Sequence, residues 1–168
     1  MATDHTQNWT GASGSNFTDQ PFHRLWLLEQ ARCLFDFFQP ASHNPNGGFY
    51  QLDLSGRPLS ATGANGHIRP LHATSRMVHC SAIGIQLGLP GMDRAVDHGL
   101  RFLWERHRDK KHGGYFWSVD DTGACDPTKQ AYGHAFVLLA AASALVVEHP
   151  DAARILADVT EILSDRFW

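Results

Sequence analysis

The chain has 168 residues, of which 43% are hydrophobic and 18% charged, with a formal net charge of -3. This suits one soluble domain with a real core, and the weak acidity with scattered Lys and Arg gives no footprint for nucleic acid or a membrane surface. No apolar stretch reaches the roughly 20 residues of a bilayer span, and Cys33, Cys80 and Cys125 form no CxxC pair, which fits a reducing compartment such as the cytoplasm.

Residues 1–20 are polar, lack the apolar segment of a signal peptide and read as a flexible tail. Residues 21–168 hold the helices. The first is expected over 22–38, with Pro40 as its stop. A second is expected over 67–87, before the breaker Leu89-Pro90-Gly91. A third, over 92–107, alternates Ala95, Val96, Leu100, Phe102 and Leu103 with charged residues and is amphipathic. A fourth follows Asp126-Pro127. Its core, 135–147, is apolar except for Ser143, the pattern of a helix buried on nearly every side. After His149-Pro150-Asp151 a fifth, amphipathic helix is expected over 152–167. Helices one, three and five therefore read as an outer layer, and two and four as an inner one.

The loops between outer and inner helices repeat. Gly47-Gly48-Phe49-Tyr50 leads through Leu52-Asp53 to Gly56, and Gly113-Gly114-Tyr115-Phe116 leads through Val119-Asp120 to Gly123. Each run suits a short β-hairpin. A helix pair per repeat signals a stacked or closed helical array. The expected fold is all-α, part of an (α/α)6 toroid of about five helices with hairpin loops. Five helices do not close such a ring. The sides of helices four and five are expected to be exposed and apolar, to be covered by further helices of a longer chain or by a second copy.

Inner-helix termini line the pocket of a toroid. The candidates are His67, Arg69, His72, Arg76 and His79 on helix two, and Lys129, Gln130, Tyr132 and His134 on helix four. Spacings of four and three put His72, Arg76 and His79 on one face. The planar fork of Arg76 suits sugar hydroxyls or a developing enediolate oxygen; the competing reading is a salt bridge to Asp120 or Asp121. Tyr132 either offers its hydroxyl to the cavity or is a core tyrosine with its tip at the surface. His134 reads as a satisfied core histidine. Phe49, Tyr50, Tyr115, Phe116 and Trp117 read as hairpin packing, with stacking on a sugar as the alternative. The eleven histidines form no HExxH or other ligand cluster, so no metal is expected. Asp120-Asp121 reads as a turn rather than as the paired carboxylates of a glycosidase.

Four segments in order resemble the N-acylglucosamine 2-epimerase family: Leu71-His72-Ala73-Thr74-Ser75-Arg76-Met77-Val78-His79, Leu89-Pro90-Gly91 through Val96-Asp97-His98-Gly99, Arg108-Asp109-Lys110-Lys111-His112-Gly113-Gly114-Tyr115, and Asp126-Pro127-Thr128-Lys129-Gln130-Ala131-Tyr132-Gly133-His134. Within that family the chain is most similar to the aldose–ketose isomerases of mannose and sulfoquinovose. The resemblance implies an (α/α)6 barrel, no cofactor, a monosaccharide substrate, Arg76 as a substrate-contacting arginine, Tyr132 as a pocket tyrosine and His72 as a sugar contact. The histidines that act as acid and base in the family match nothing here and are expected beyond Trp168. Aldose–ketose isomerisation is thus the expected chemistry of a longer enzyme. A 2-epimerase of the N-acylglucosamine type, a glycoside hydrolase on the same toroid, and an inactive fragment or interaction module are the alternatives.

Overall fold

The structure, a computed structural model, describes residues 19–61 and 63–168. The tail expected over 1–20 lies, up to residue 18, outside the described residues. The chain divides into two compact units, the second running Phe37–Trp168. The first unit contributes most of α1, Pro21–Phe38, a helix with Arg32 set between Glu29 and Asp36 at three- and four-residue spacing.

Within the second unit the helices are α2 (Leu71–Gln86), α3 (Met92–Phe102), α4 (Ala131–Val146) and α5 (Ala152–Phe167). α2 packs against both α3 and α4, and α4 packs against α5. Two inner helices therefore lie side by side, each covered by an outer one, as the alternation of apolar and amphipathic segments predicts. The shared core runs through Leu71, Val78 and Ala82 of α2, Val96 and Leu100 of α3, Val137, Ala140, Ala141 and Ala144 of α4, and Ile155, Val159 and Ile162 of α5.

The second helix begins four residues later than its periodicity predicts. Pro70 lacks an amide hydrogen and disfavours helical backbone at Arg69, so Arg69–Pro70 forms a strand, β1. It pairs antiparallel with β2 (Ser118–Val119), which pairs antiparallel with β3 (Ala124–Asp126) across a bulge. The third helix also differs. After Phe102 the backbone widens into a π-helical turn over Leu103–His107, closed by the Arg108 amide donating to the Leu103 carbonyl at 3.0 Å.

The two glycine–aromatic loops share one construction. In the first, Asp53 Oδ1 accepts the Ser55 amide, the Ser55 hydroxyl and the Arg57 amide. In the second, Asp120 Oδ1 accepts the Thr122 amide, the Thr122 hydroxyl and the Gly123 amide. Each is a carboxylate organising its own turn. The second loop carries the β2–β3 hairpin, while the first is joined by isolated bridges, Leu52 to Pro58 among them. Both Gly-Gly pairs adopt positive φ. At Gly48 a Cβ would lie 2.8 Å from the Phe102 ring, so only glycine lets this turn close onto α3.

α4 is not buried all round. Gly133, His134, Val137, Ala140, Ala141 and Ala144 are covered, but Leu139, Leu145 and Val146 are exposed, Val146 by 67%. Beside them Leu138, Thr160, Leu163, Ser164 and Trp168 line an open groove between α4 and α5. This is the uncovered side expected of an incomplete ring.

His107 joins the π-turn to the second loop. Its Nδ1–H donates to the Phe116 carbonyl at 3.0 Å, and its own carbonyl accepts the Phe116 amide. Burial lowers its pKa from 6.5 to about 4, with Arg69 and Arg106 pushing the same way and the Phe116 carbonyl opposing. The unfolded chain therefore binds a proton that the folded chain refuses between these values. Stability is expected to fall as pH drops from about 6.5 to about 4, by about 3 kcal/mol from this residue. Urea unfolding across that range should show the loss, and His107→Asn, which keeps an N–H donor but cannot titrate, should remove that share of it.

Candidate active site

The first turns of α2 and α4 meet on one side of the inner layer. Gly133 makes the approach possible, because a Cβ there would lie 2.9 Å from Leu71 Cδ2 and 3.4 Å from the Trp117 ring. Trp117, just before β2, is thereby brought against both helices. Its indole stacks on His72, with centroids 5.1 Å apart, and lies 6.3 Å from the Tyr132 ring. Tyr132 in turn meets Phe136 edge-to-face at 4.9 Å.

Arg76 closes this row of rings. Its Nη2 donates to the Tyr132 hydroxyl at 3.1 Å, and its guanidinium carbon lies 4.5 Å from the Phe136 centroid. Arg76 is exposed, and Tyr132 is 53% exposed. Among the described residues Arg76 has no carboxylate partner. His72 is half-buried, with a buried Nδ1 that makes no hydrogen bond. Burial first, and then Arg76, lower its pKa, so the neutral imidazole is favoured here. One turn beyond Arg76, the His79 Nδ1 lies 2.7 Å from the Ser143 hydroxyl of α4.

His72, Arg76 and Tyr132 are thus brought together. His79 stands at the neighbouring turn of the same face, and the other candidates lie elsewhere. The salt bridge weighed for Arg76 belongs to Arg69. That side chain is fully buried on β1, with Nη1 2.6 Å from Asp121 Oδ1 and its guanidinium 5.0 Å from the Phe102 centroid. Lys129 precedes α4 and pairs with Asp109 at 2.6 Å. The Asp109 carboxylate, which also accepts the Lys111 and His112 amides, is held well below the usual carboxylate range, chiefly by Lys129. His134 is satisfied on both sides: Nδ1–H donates to the Gln130 carbonyl at 2.7 Å, and Nε2 accepts the Tyr115 amide at 3.0 Å. His67 lies edge-on to Tyr50. Asp120 and Asp121 are committed to the turn and to Arg69, so neither is a free carboxylate. Among the described residues no group of three or more His, Cys, Asp or Glu could hold a metal ion.

Phe136 and Ser143 are participants that sequence reasoning did not assign to the site, and Trp117 is one it reads as hairpin packing with stacking on a sugar as the alternative. Phe136 stands four residues after Tyr132, on the same helix face. Ser143 is the one polar residue in the run 135–147, and that interruption was the available signal. For Trp117 the sequence leaves both readings open, because its place depends on how the hairpin packs.

Two inner helices, outer helices over them and glycine–aromatic loops between define a segment of an (α/α)6 barrel. The chain belongs to the N-acylglucosamine 2-epimerase family, whose sequence profile matches residues 25–168. It is 42% identical over 153 residues to a D-mannose isomerase of Thermobifida fusca, covering 90% of this chain and 36% of that protein. A crystal structure of D-mannose isomerase superposes with a TM-score of 0.74 at 25% identity, over 92% of this chain and 38% of the other. The cellobiose 2-epimerase of Spirochaeta thermophila superposes with a TM-score of 0.67 at 26% identity, over 89% and 38%. The chain spans a little over a third of the length of these relatives.

The two arginines should separate cleanly in stability measurements. Asp121→Ala leaves the buried Arg69 guanidinium without its counter-charge and is expected to cost about 3–5 kcal/mol in urea unfolding. Arg76→Ala, at an exposed position, is expected to cost about 1 kcal/mol or less.

Proposed function

We propose that the protein is a sugar aldose–ketose isomerase of the mannose type, and that this chain supplies one wall of its substrate pocket. The observation that carries the reading is the exposed Arg76 guanidinium, free of any carboxylate among the described residues and 3.1 Å from the Tyr132 hydroxyl on the facing helix. An arginine that balances a structural charge sits like Arg69; one that leaves donors open is suited to a ligand oxygen. The row of His72, Trp117, Tyr132 and Phe136 rings beside it offers apolar faces for the C–H surface of a sugar. Similarity to proteins named D-mannose isomerase supports the choice of sugar.

In the proposed reaction the ring opens and a base removes the proton from C2 of the aldose. The C2–H electron pair becomes the C1–C2 double bond of a cis-enediol, and charge develops on the C1 oxygen. A proton passes from the C2 hydroxyl to the C1 oxygen, and as C2 becomes the carbonyl the abstracted proton returns at C1, giving the ketose. Arg76 stabilises the charged oxygen, and Tyr132 and His72 orient the open chain. The acid and base that move the proton are proposed to lie outside this stretch, in the remaining length typical of relatives. Only proton transfers are involved, so the reaction needs no redox cofactor. A cytoplasmic location is part of the same proposal, supported by three exposed cysteines, none in a disulfide.

The second reading is a 2-epimerase, favoured by the similarity to cellobiose 2-epimerase. It differs only in where the proton returns: to the opposite face of C2. The product therefore decides between them. Protein from the complete gene, incubated with D-mannose in heavy water, is expected to form fructose and to exchange the proton at C2. No exchange and no fructose would sink mannose isomerisation, and a C2 epimer without ketose would select the second reading. Arg76→Ala is expected to lower turnover by on the order of 10²-fold; an unchanged rate with reduced stability would make Arg76 structural.

A further inference from the structure

Among the histidines of the second unit, hydrogen bonding fixes several tautomers. His134 has both nitrogens occupied, and His107 Nε2 is sealed in the interior. His98 Nε2 donates to the Gly48 carbonyl at 2.7 Å. His79 differs from all three, and the reason lies on the neighbouring helix.

The Ser143 hydroxyl stands 2.7 Å from His79 Nδ1 and 2.8 Å from the Leu139 carbonyl oxygen. It has one proton to give. A carbonyl can only accept, and two oxygens held at 2.8 Å without a proton between them repel. The hydroxyl proton therefore goes to Leu139, and Ser143 Oγ can only accept from the ring. His79 must carry its proton on Nδ1. In the neutral imidazole this leaves Nε2 as a bare acceptor, the reverse of the tautomer that free histidine prefers in water. Nε2 makes no hydrogen bond to the described residues, and it is not sealed from solvent.

His79 lies three residues after Arg76, about 4.5 Å further along the same helix face. Arg76 can only donate. A sugar hydroxyl both donates and accepts, and adjacent hydroxyls on a carbon chain present both roles a few ångströms apart. We propose that His79 is a further sugar-contacting residue, its bare Nε2 accepting a hydroxyl proton of the ligand, with Ser143 as the positioning residue that fixes its tautomer. The naming of the ligand rests on the isomerase reading above; the tautomer does not.

The tautomer is tested by long-range proton–nitrogen correlation spectra of histidine-labelled protein at mildly alkaline pH. His79 is expected to carry its proton on Nδ1. Ser143→Ala should move it to Nε2, and Ser143→Thr, which keeps a hydroxyl able to bond the same carbonyl, should restore it. A wild-type proton on Nε2, or a tautomer indifferent to Ser143→Ala, overturns the positioning role.

The contact is tested with protein from the complete gene. Adding D-mannose is expected to shift the Nε2 resonance in the wild type but not in Ser143→Ala. His79→Asn, which can still donate to Ser143 but offers nothing at Nε2, is expected to raise KM about tenfold while leaving kcat within about twofold, the signature of lost uniform binding. A silent Nε2 in an enzyme that still isomerises mannose overturns the contact and leaves the isomerase reading intact. A shifted Nε2 with no fructose formed keeps the contact and overturns isomerisation.

Discussion

With no side chain on Gly133, Leu71 can reach the start of α4, and alanines at 140, 141 and 144 add little bulk to the core side of that helix. The contacts between α2 and α4 then progress in one direction along both chains, from Leu71 and Gly133 to His79 and Ser143. The two inner helices are therefore parallel and close. Every polar feature of the candidate site hangs on that contact. Arg76 reaches the Tyr132 hydroxyl, and Ser143 reaches His79, because each pair spans the same seam. Wider packing would part Arg76 from the Tyr132 hydroxyl and leave His79 free to take either tautomer.

The seam is held at its upper end by the hairpin. Arg69 is the first residue of β1 and immediately precedes Pro70, which caps α2, while its partner Asp121 belongs to the β2–β3 turn. A fully buried guanidinium held by one short ion pair ties that turn to the start of the inner helix, and β1–β2 pairing does the same through the backbone. Trp117, one residue before β2, is delivered to His72 as a consequence. A buried, paired arginine and an exposed one without a carboxylate partner among the described residues thus sit seven residues apart in one segment. Arg69 uses its charge inward, and Arg76 keeps its charge available.

The division between these arginines marks where sequence reasoning stops. Helical spacing placed His72, Arg76 and His79 on one face, and the structure joins the first two in one cluster with Tyr132. It could not say which arginine meets Asp121, because that depends on Pro70 turning residues 69 and 70 into a strand. Read as continuous helix through the proline, the sequence leaves an ion pair with Asp120 or Asp121 as the alternative for Arg76, whereas the structure gives Asp121 to Arg69. Ser143 shows the converse. A lone hydroxyl in an apolar run was visible, but its meaning required a second helix at hydrogen-bonding distance.

Much of the architecture was written locally. The alternation of amphipathic and apolar helices, the breakers between them and the two glycine–aromatic loops follow from propensity, periodicity and turn chemistry, all of which act over a few residues. The duplicated Asp53 and Asp120 turns are local in the same sense, since each carboxylate binds amides within four positions. Tertiary structure decided what no local rule reaches: the π-turn that brings His107 to Phe116, the burial of Arg69 and the tautomer of His79. Each of these depends on an atom contributed from another element, and so becomes defined only when the elements meet.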